Sequence, residues 1–271
     1  MHLLSWVLGR AVVVCFALAP MGVAAVANAQ PAGTIYQTTL MEPGQKTPEV
    51  TTEELRKALS DKNSIVLDTR PFLEYAMSHV PGAVNVAAKP GVSMSMYVSD
   101  VAEIGRLVGG DKTKPLILYC NGPFCAKSKR LSDELLTAGY TSVRRYQLGI
   151  PVWRALVGLT EIELEGVAHV FKNDRTAVFL DARTPEEFQA SSIRGARNIP
   201  SGGVQAGKDV GEVRTAKDDG RLPMEDHNTR IIVFGRDADQ ARAVATAIAR
   251  EAFHNVAYFP GTYDTLASAL K

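Results

Sequence analysis

The run Leu67-Asp68-Thr69-Arg70 returns as Leu180-Asp181-Ala182-Arg183, 113 positions later. At the same offset Glu74 meets Glu187, Ser78 meets Ser191, Gly82-Ala83 meets Gly195-Ala196, and Asn85 meets Asn198. Tyr75/Phe188, Val80/Ile193 and Val86/Ile199 keep their chemical character. An ungapped match this dense marks an internal repeat, so the chain is read as two copies of one folding unit. Its 271 residues leave room for two domains of ordinary size.

Within the first copy, short apolar runs alternate with helical patterns. Thr51 or Thr52 can cap a helix through Leu55 to Leu59, with Glu53 and Glu54 in its first turn. Strands are expected at Ser64–Leu67, Val84–Val86, Leu116–Tyr119 and Val143–Tyr146. Helices are expected through Phe72, Tyr75 and Ala76, within the connection Met94–Val108, and from about Cys125 to Ala138. Strands alternating with helices predict an α/β fold with a mainly parallel sheet and helices on both faces. In the second copy Ile231–Phe234 repeats the strand Leu116–Tyr119, but Gly235 follows it rather than a cysteine. The segment Ser201–Asn228, rich in glycine and charge, reads as a turn-rich loop.

The chemistry-bearing stretch follows Tyr119: Cys120-Asn121-Gly122-Pro123-Phe124-Cys125-Ala126-Lys127. A strand ends at a cysteine, a tight loop follows, and a helix begins. Helix N-termini carry unpaired N–H groups and partial positive charge, and a curled loop adds more donors. A thiolate held there has a lowered pKa and is a stronger nucleophile at neutral pH. Cys120 is the candidate nucleophile. The amides of Asn121, Gly122, Phe124, Cys125 and Ala126 are candidate anion donors, whereas Pro123 has none to give. In the first helical turn Lys129 has Asp133 and Arg130 has Glu134 at i,i+4, but Lys127 has only Leu131. That leaves Lys127 as a candidate contact for an anionic ligand.

Residues 1–29 read as a secretory signal peptide: Arg10, an apolar run from Ala11 to about Val26, and a cleavage site at Ala27-Asn28-Ala29. A periplasmic protein is therefore expected, with membrane contact only through the uncleaved signal. Residues 30–48 form a linker or docked arm, 49–158 the first domain and 159–271 the second. Cleavage removes Cys15 and leaves Cys120 and Cys125, too few for a disulfide framework and without a partner pair for zinc. No metal and no cofactor are expected. A net charge of +1 offers no basic stripe for nucleic acid.

Asp68-Thr69-Arg70, Glu74-Tyr75 and His79-Val80-Pro81-Gly82-Ala83-Val84-Asn85 resemble the first signature of the rhodanese family. Tyr119-Cys120 with its loop resembles the family's active-site signature, and Leu148-Gly149 through Trp153 its closing segment. The chain thus resembles a tandem rhodanese over both copies, with an active-type first domain and an inactive-type second. The resemblance implies a sulfurtransferase. Cys120 would take the outer sulfur of a small anionic donor such as thiosulfate, hold it as a persulfide, and pass it to a thiol or cyanide-like acceptor. Asp68, Arg70 and Glu74 are implied as structural residues of the motif, with Arg70 expected to pair with Glu74 or with loop carbonyls. His79 is expected to order its turn. Tyr119 and Trp153 are expected in the core, and the second domain is expected to pack on the first and wall its cleft.

The family's usual loop has glycine three after the cysteine and often arginine or threonine five after it. Here Gly122 is two after and Cys125 holds the fifth position, where its thiol could resolve a persulfide on Cys120. Two other classes stay open at this level. One is a thiol–disulfide or redox-sensing protein using Cys120 and Cys125 with a periplasmic reductant. The other is a non-enzymatic binding module. A cysteine phosphatase is the weaker fourth, since position 126 is alanine where an arginine clamp would stand.

Overall fold

The computed structural model describes residues 44–87, 101–123, 125–157 and 159–270. The signal reading at 1–29, most of the linker, residues 94–100 of the predicted connection and Phe124 lie outside the described residues.

The first unit contains α1 (Thr52–Asp61), β1 (Ile65–Asp68), α2 (Phe72–Met77), β2 (Val84–Asn85), α3 (Val101–Leu107), β3 (Leu116–Tyr119), α4 (Ala126–Thr137), β4 (Val143–Tyr146) and α5 (Gly149–Val157). The second contains β5 (Leu159–Glu161), α6 (Leu164–Asn173), β6 (Val178–Asp181), α7 (Pro185–Ala190), β7 (Arg197–Asn198), α8 (Gly211–Asp218), β8 (Ile231–Phe234), α9 (Ala238–Ala249), β9 (Val256–Tyr258) and α10 (Tyr263–Ala269). The strand orders are β2-β1-β3-β4 and β5-β9-β8-β6-β7, and the strand pairs are parallel.

Alternation along each strand sends side chains to two cores. Val66, Ile117 and Tyr146 face α1 and α5, where Leu55 and Trp153 meet them. Leu67, Leu118 and Val143 face α3 and α4, where Ile104, Leu131 and Leu135 meet them. The second unit repeats this, with Phe179 and Ile232 against α6 and α10, and Leu180 and Val233 against α8 and α9. Each large apolar side chain buried this way contributes about 1.5–3 kcal/mol before the entropy of ordering is set against it.

Helix starts follow their local chemistry. Thr51 caps α1 and forms a capping box with Glu54; Thr184 does the same for α7 with Glu187. One element departs from expectation. The turn-rich segment 201–228 contains the helix α8, which has no side-chain cap and shows only two inward residues, Val213 and Ala216. Tertiary burial of those two holds a helix that local propensity leaves faint. Of the two readings of residues 30–48, linker or docked arm, the described end is a docked arm. Thr47 is buried, Arg145 N–H donates to the Pro48 carbonyl (3.0 Å), and Val50 N–H donates to the Arg145 carbonyl (2.8 Å). Glu49 thereby pairs alongside β4 as Glu161 pairs alongside β9, so the repeat reaches further towards the N-terminus than its first matching residues.

The units meet through α2 and α6 and through an antiparallel bridge between His79 and Glu161, whose backbones exchange two hydrogen bonds of 2.9 Å. His79 is buried, stacks on Tyr75, and lies 3.4 Å (Nε2) from a Glu161 carboxylate oxygen, so its ring faces the junction. Gly166 lets α6 approach closely, since a Cβ there would run into the Ala76 carbonyl. Trp153 Nε1 donates to the Leu159 carbonyl (2.9 Å), and Arg154 Nε donates to Ser78 Oγ (3.2 Å).

Glu161 is the charged centre of this junction. Burial alone would raise its carboxyl; hydrogen bonds from His79, Tyr258 and the Gly82 N–H outweigh burial and hold the pKa at about 2, below the ordinary 4.5. A carboxyl depressed on folding contributes stability that is complete above its unfolded pKa and disappears as pH falls through the folded one. Unfolding free energy should therefore fall between pH 4.5 and about pH 2, with up to about 3 kcal/mol coming from this group. Denaturant titrations across that range provide the check. Glu161→Gln should be less stable at pH 7 and show a shallower acid dependence than the parent.

Candidate functional site

A buried ion pair fixes the floor of the site. Asp68 ends β1, and its carboxylate accepts from Arg70 N–H (2.9 Å), Arg70 Nε (3.0 Å) and the Tyr119 hydroxyl (2.5 Å). Arg70 Nη2 also donates to the Ser78 carbonyl (2.6 Å), which ties the strand end to the turn after α2. Asn85 Nδ2 donates to the carbonyls of Asp68 and Arg70 and locks β2 beside them. Burial alone would lower the Arg70 pKa, but Asp68 raises it above the ordinary guanidinium value. Burial and then Asp68 push the Tyr119 phenol well above its ordinary value, against the pull of Arg70, so the ring stays neutral.

The second unit repeats this clamp: Arg183 binds Asp181 and the Ser191 carbonyl, and Asn198 binds the carbonyls of Asp181 and Arg183. The repeat read from sequence is this clamp. Only the hydroxyl changes source. Tyr119 becomes Phe234, and Ser192 Oγ donates to Asp181 instead (2.8 Å).

Of the two partners expected for Arg70, Glu74 and loop carbonyls, the carbonyl is present at Ser78, Glu74 is not, and Asp68 is added. Arg70 takes Asp68 and the Ser78 carbonyl, while Glu74 reaches the nucleophile loop, accepting from Asn121 Nδ2 (2.6 Å). Its counterpart Glu187 accepts from Arg236 in the second loop. In each unit a carboxylate from the helix after β1 or β6 holds the loop after β3 or β8.

Cys120 follows β3 at its carboxyl edge and is 2% exposed. Thr69 donates from its N–H and its hydroxyl to the Tyr119 carbonyl, and the Ile150 N–H donates to the Cys120 carbonyl (3.1 Å). Gly122 has φ +125°, outside what other residues readily adopt. Cys125 is the N-cap of α4 and makes no side-chain cap hydrogen bond. Cys120 and Cys125 are joined by a disulfide, with their Cα atoms 6.2 Å apart.

Of the amides named as candidate donors, that of Cys125 is spent on the Gly122 carbonyl (3.0 Å), because the loop closes as a turn there. Ala126 is exposed and Lys127 half-buried, both in the first turn of α4. Arg130 pairs with Glu134 as expected, and Asp133 lies 3.9 Å from Lys46 of the docked arm.

The second loop has the same frame with a different filling. Asp237 caps α9 through the Gln240 N–H (2.8 Å), and the Gln240 side chain accepts from the Arg236 N–H (2.7 Å). The α9 N-terminus is therefore occupied by the chain's own side chains, whereas α4 has neither a side-chain cap nor an acid in its first turn. A Cβ on Gly235 would stand 2.9 Å from Gln240 Oε1 and 3.2 Å from the Ala241 amide nitrogen, so a side chain at the nucleophile position would have to displace the Gln240 side chain.

Gly149 lies in the closing segment Leu148-Gly149 through Trp153, and its role comes from packing. It has φ +65°, and a Cβ would sit inside contact distance of the Cys120 carbonyl and the Gly122 amide. Gly149→Ala should cost about 3 kcal/mol or more by forcing the loop off α5. Gly82, with φ +77° and open space around a Cβ, is the control, and Gly82→Ala should cost only about 1–2 kcal/mol. Equal losses in denaturant midpoint for the two variants would contradict this packing.

The rhodanese-like domain model matches residues 51–156 and 167–269. A tRNA uridine(34) hydroxylase of Prochlorococcus marinus is 28% identical over 116 residues, covering 42% of this chain and 36% of that protein. The HTH-type transcriptional regulator Rv0324 of Mycobacterium tuberculosis is 27% identical over 126 residues, covering 46% of this chain and 50% of its own length. The chain thus spans a third to a half of the length of these curated relatives. Among solved structures, a thiosulfate sulfurtransferase from Pseudomonas aeruginosa aligns at 24% identity over 82% of this chain and 45% of its own, with a TM-score of 0.34. With both halves matched by one family model, and each half built on the same Asp–Arg clamp, the chain belongs to the rhodanese-like domain family as a tandem of two such domains.

Proposed function

We propose that the chain is a sulfurtransferase acting through Cys120 in its reduced form. The reading rests on the contrast between the two loops. The first places a cysteine beside a helix N-terminus without a side-chain cap, whereas the second closes the same place with Asp237 and Gln240. An open N-terminus lowers the pKa of a nearby thiol and favours the anionic oxygens of a donor such as thiosulfate.

In the reduced enzyme the Cys120 thiolate attacks the outer sulfur of thiosulfate. A Cys120 persulfide forms and sulfite leaves with the bonding electron pair. A thiol or cyanide then attacks the persulfide's outer sulfur and returns the Cys120 thiolate, which makes the cycle ping-pong covalent catalysis. Lys127, in the first turn of α4, is the proposed contact for the donor's oxygens, and Glu74 holds Asn121 and with it the loop. Export by the signal at 1–29 into the periplasm belongs to the same proposal.

Thiol–disulfide exchange is a second reading, favoured by the Cys120–Cys125 bond. Mass spectrometry separates the two. Reduced Cys125→Ser protein treated with thiosulfate should gain one sulfur atom at residue 120 and release sulfite, and Cys120→Ser should do neither. Thiocyanate formation from thiosulfate and cyanide should fall to background in Cys120→Ser and persist in Cys125→Ser. Full activity in Cys120→Ser would remove the proposal.

Lys127→Ala should raise the KM for thiosulfate about tenfold, roughly 1.4 kcal/mol. The effect should shrink as ionic strength rises, since half-exposed charges are screened. An unchanged KM at low salt would remove Lys127 from the donor site.

A further inference from the structure

The disulfide joins the candidate nucleophile to the N-cap residue of the helix that follows it. The Cα atoms of Cys120 and Cys125 lie 6.2 Å apart, within the span that such a bond accepts without backbone movement. The two sulfurs differ in setting. Cys120 is 2% exposed at the strand edge, while Cys125 is half-exposed at the N-cap of α4. A thiol at an N-cap with no acid in the following turn is biased towards thiolate.

These observations bear on the fate of a sulfur loaded on Cys120. We infer that the protein is a dithiol-dependent reductase of sulfane sulfur, releasing hydrosulfide without a separate sulfur acceptor. The inference rests on the proposed persulfide at Cys120. In this fold the atom within bonding reach of Cys125 is the Cys120 Sγ, the inner sulfur of that persulfide. The Cys125 thiolate attacks it, the Cys120–Cys125 bond forms, and the bond to the outer sulfur breaks. That sulfur leaves with the electron pair as hydrosulfide and takes up the proton given by the Cys125 thiol.

Over one pass, two thiols and one thiosulfate become one disulfide, one sulfite and one hydrogen sulfide. The sulfane sulfur is reduced by two electrons and the thiols are oxidised by two. A dithiol reductant closes the cycle. It attacks the half-exposed Cys125 sulfur, expels the buried Cys120 as thiolate, and leaves as its own disulfide. The Cys120–Cys125 disulfide form is then the oxidised half of a catalytic cycle.

The test is a single turnover of the full-length protein, reduced, freed of reductant and mixed with thiosulfate. Sulfite, hydrosulfide, free thiols and intact mass are followed together. The wild type should release one equivalent each of sulfite and hydrosulfide and lose both thiols, at a rate independent of protein concentration. Cys125→Ser should release sulfite alone and keep one extra sulfur atom. Adding reduced thioredoxin should make hydrosulfide release by the wild type catalytic. If the wild type releases sulfite but stops at the persulfide, the reductase inference falls and sulfur transfer stands. If neither protein releases sulfite, sulfur transfer itself falls, and the reductase inference with it.

Discussion

The buried pairing of Asp68 with Arg70 is the contact on which the site is built. An unpaired charge in that position would be expensive to bury, and breaking a buried pair from one side typically costs about 3–5 kcal/mol. Here the carboxylate and the guanidinium satisfy one another, and their remaining capacity goes to backbone. Arg70 takes the Ser78 carbonyl, and Asn85 takes the carbonyls at the strand end. One ion pair therefore fixes the end of β1, the turn after α2 and the start of β2 in one arrangement. Through the Tyr119 hydroxyl it also fixes the last residue before Cys120. The nucleophile stands on a strand end that has little freedom to move.

The second unit keeps this frame and changes what sits on it. Its Asp181–Arg183 pair is as complete as the first, yet the following loop has Gly235 in place of the cysteine, and its helix start is filled by Asp237 and Gln240. The clamp is thus a requirement of the fold, and the chemistry depends on a few residues laid over it. Glu74 and Glu187 show the same separation: both hold a loop, one through Asn121 and the other through Arg236.

Much of this was readable from the chain. The strands were visible as apolar runs, the helix after Cys120 as a periodic pattern, and the repeat as spaced identities. What escaped depended on partners distant in sequence. Asp68 and Arg70 are two residues apart, and the sequence offered Glu74, one helical turn beyond Arg70, or loop carbonyls as partners; the strand end turns the guanidinium back onto Asp68 as well as onto the Ser78 carbonyl. The helix α8 has too few apolar residues to announce itself, and the core contacts of Val213 and Ala216 hold it together with the Lys217–Glu251 and Glu212–Arg221 pairs. Glu161 carries no motif, and its importance comes from meeting His79, Gly82 and Tyr258 at the junction. The amide of Cys125 could be counted as a donor in the sequence, but a turn inside the loop consumes it.

The strand β5 has a part beyond its own unit. Its residues pair with β9 on one side, and Glu161 bonds to His79 on the other. The peptide that joins the two domains is therefore also the seal on a sheet margin. A margin without such cover exposes a row of unpaired N–H and C=O groups, ready to template assembly with a neighbouring chain. A cut after residue 162 would strip that cover from the second half, while a cut just before residue 159 would leave it attached. The halves repeat one another, but the border between them is not interchangeable with a flexible tether: the tandem is closed by the same few residues that connect it.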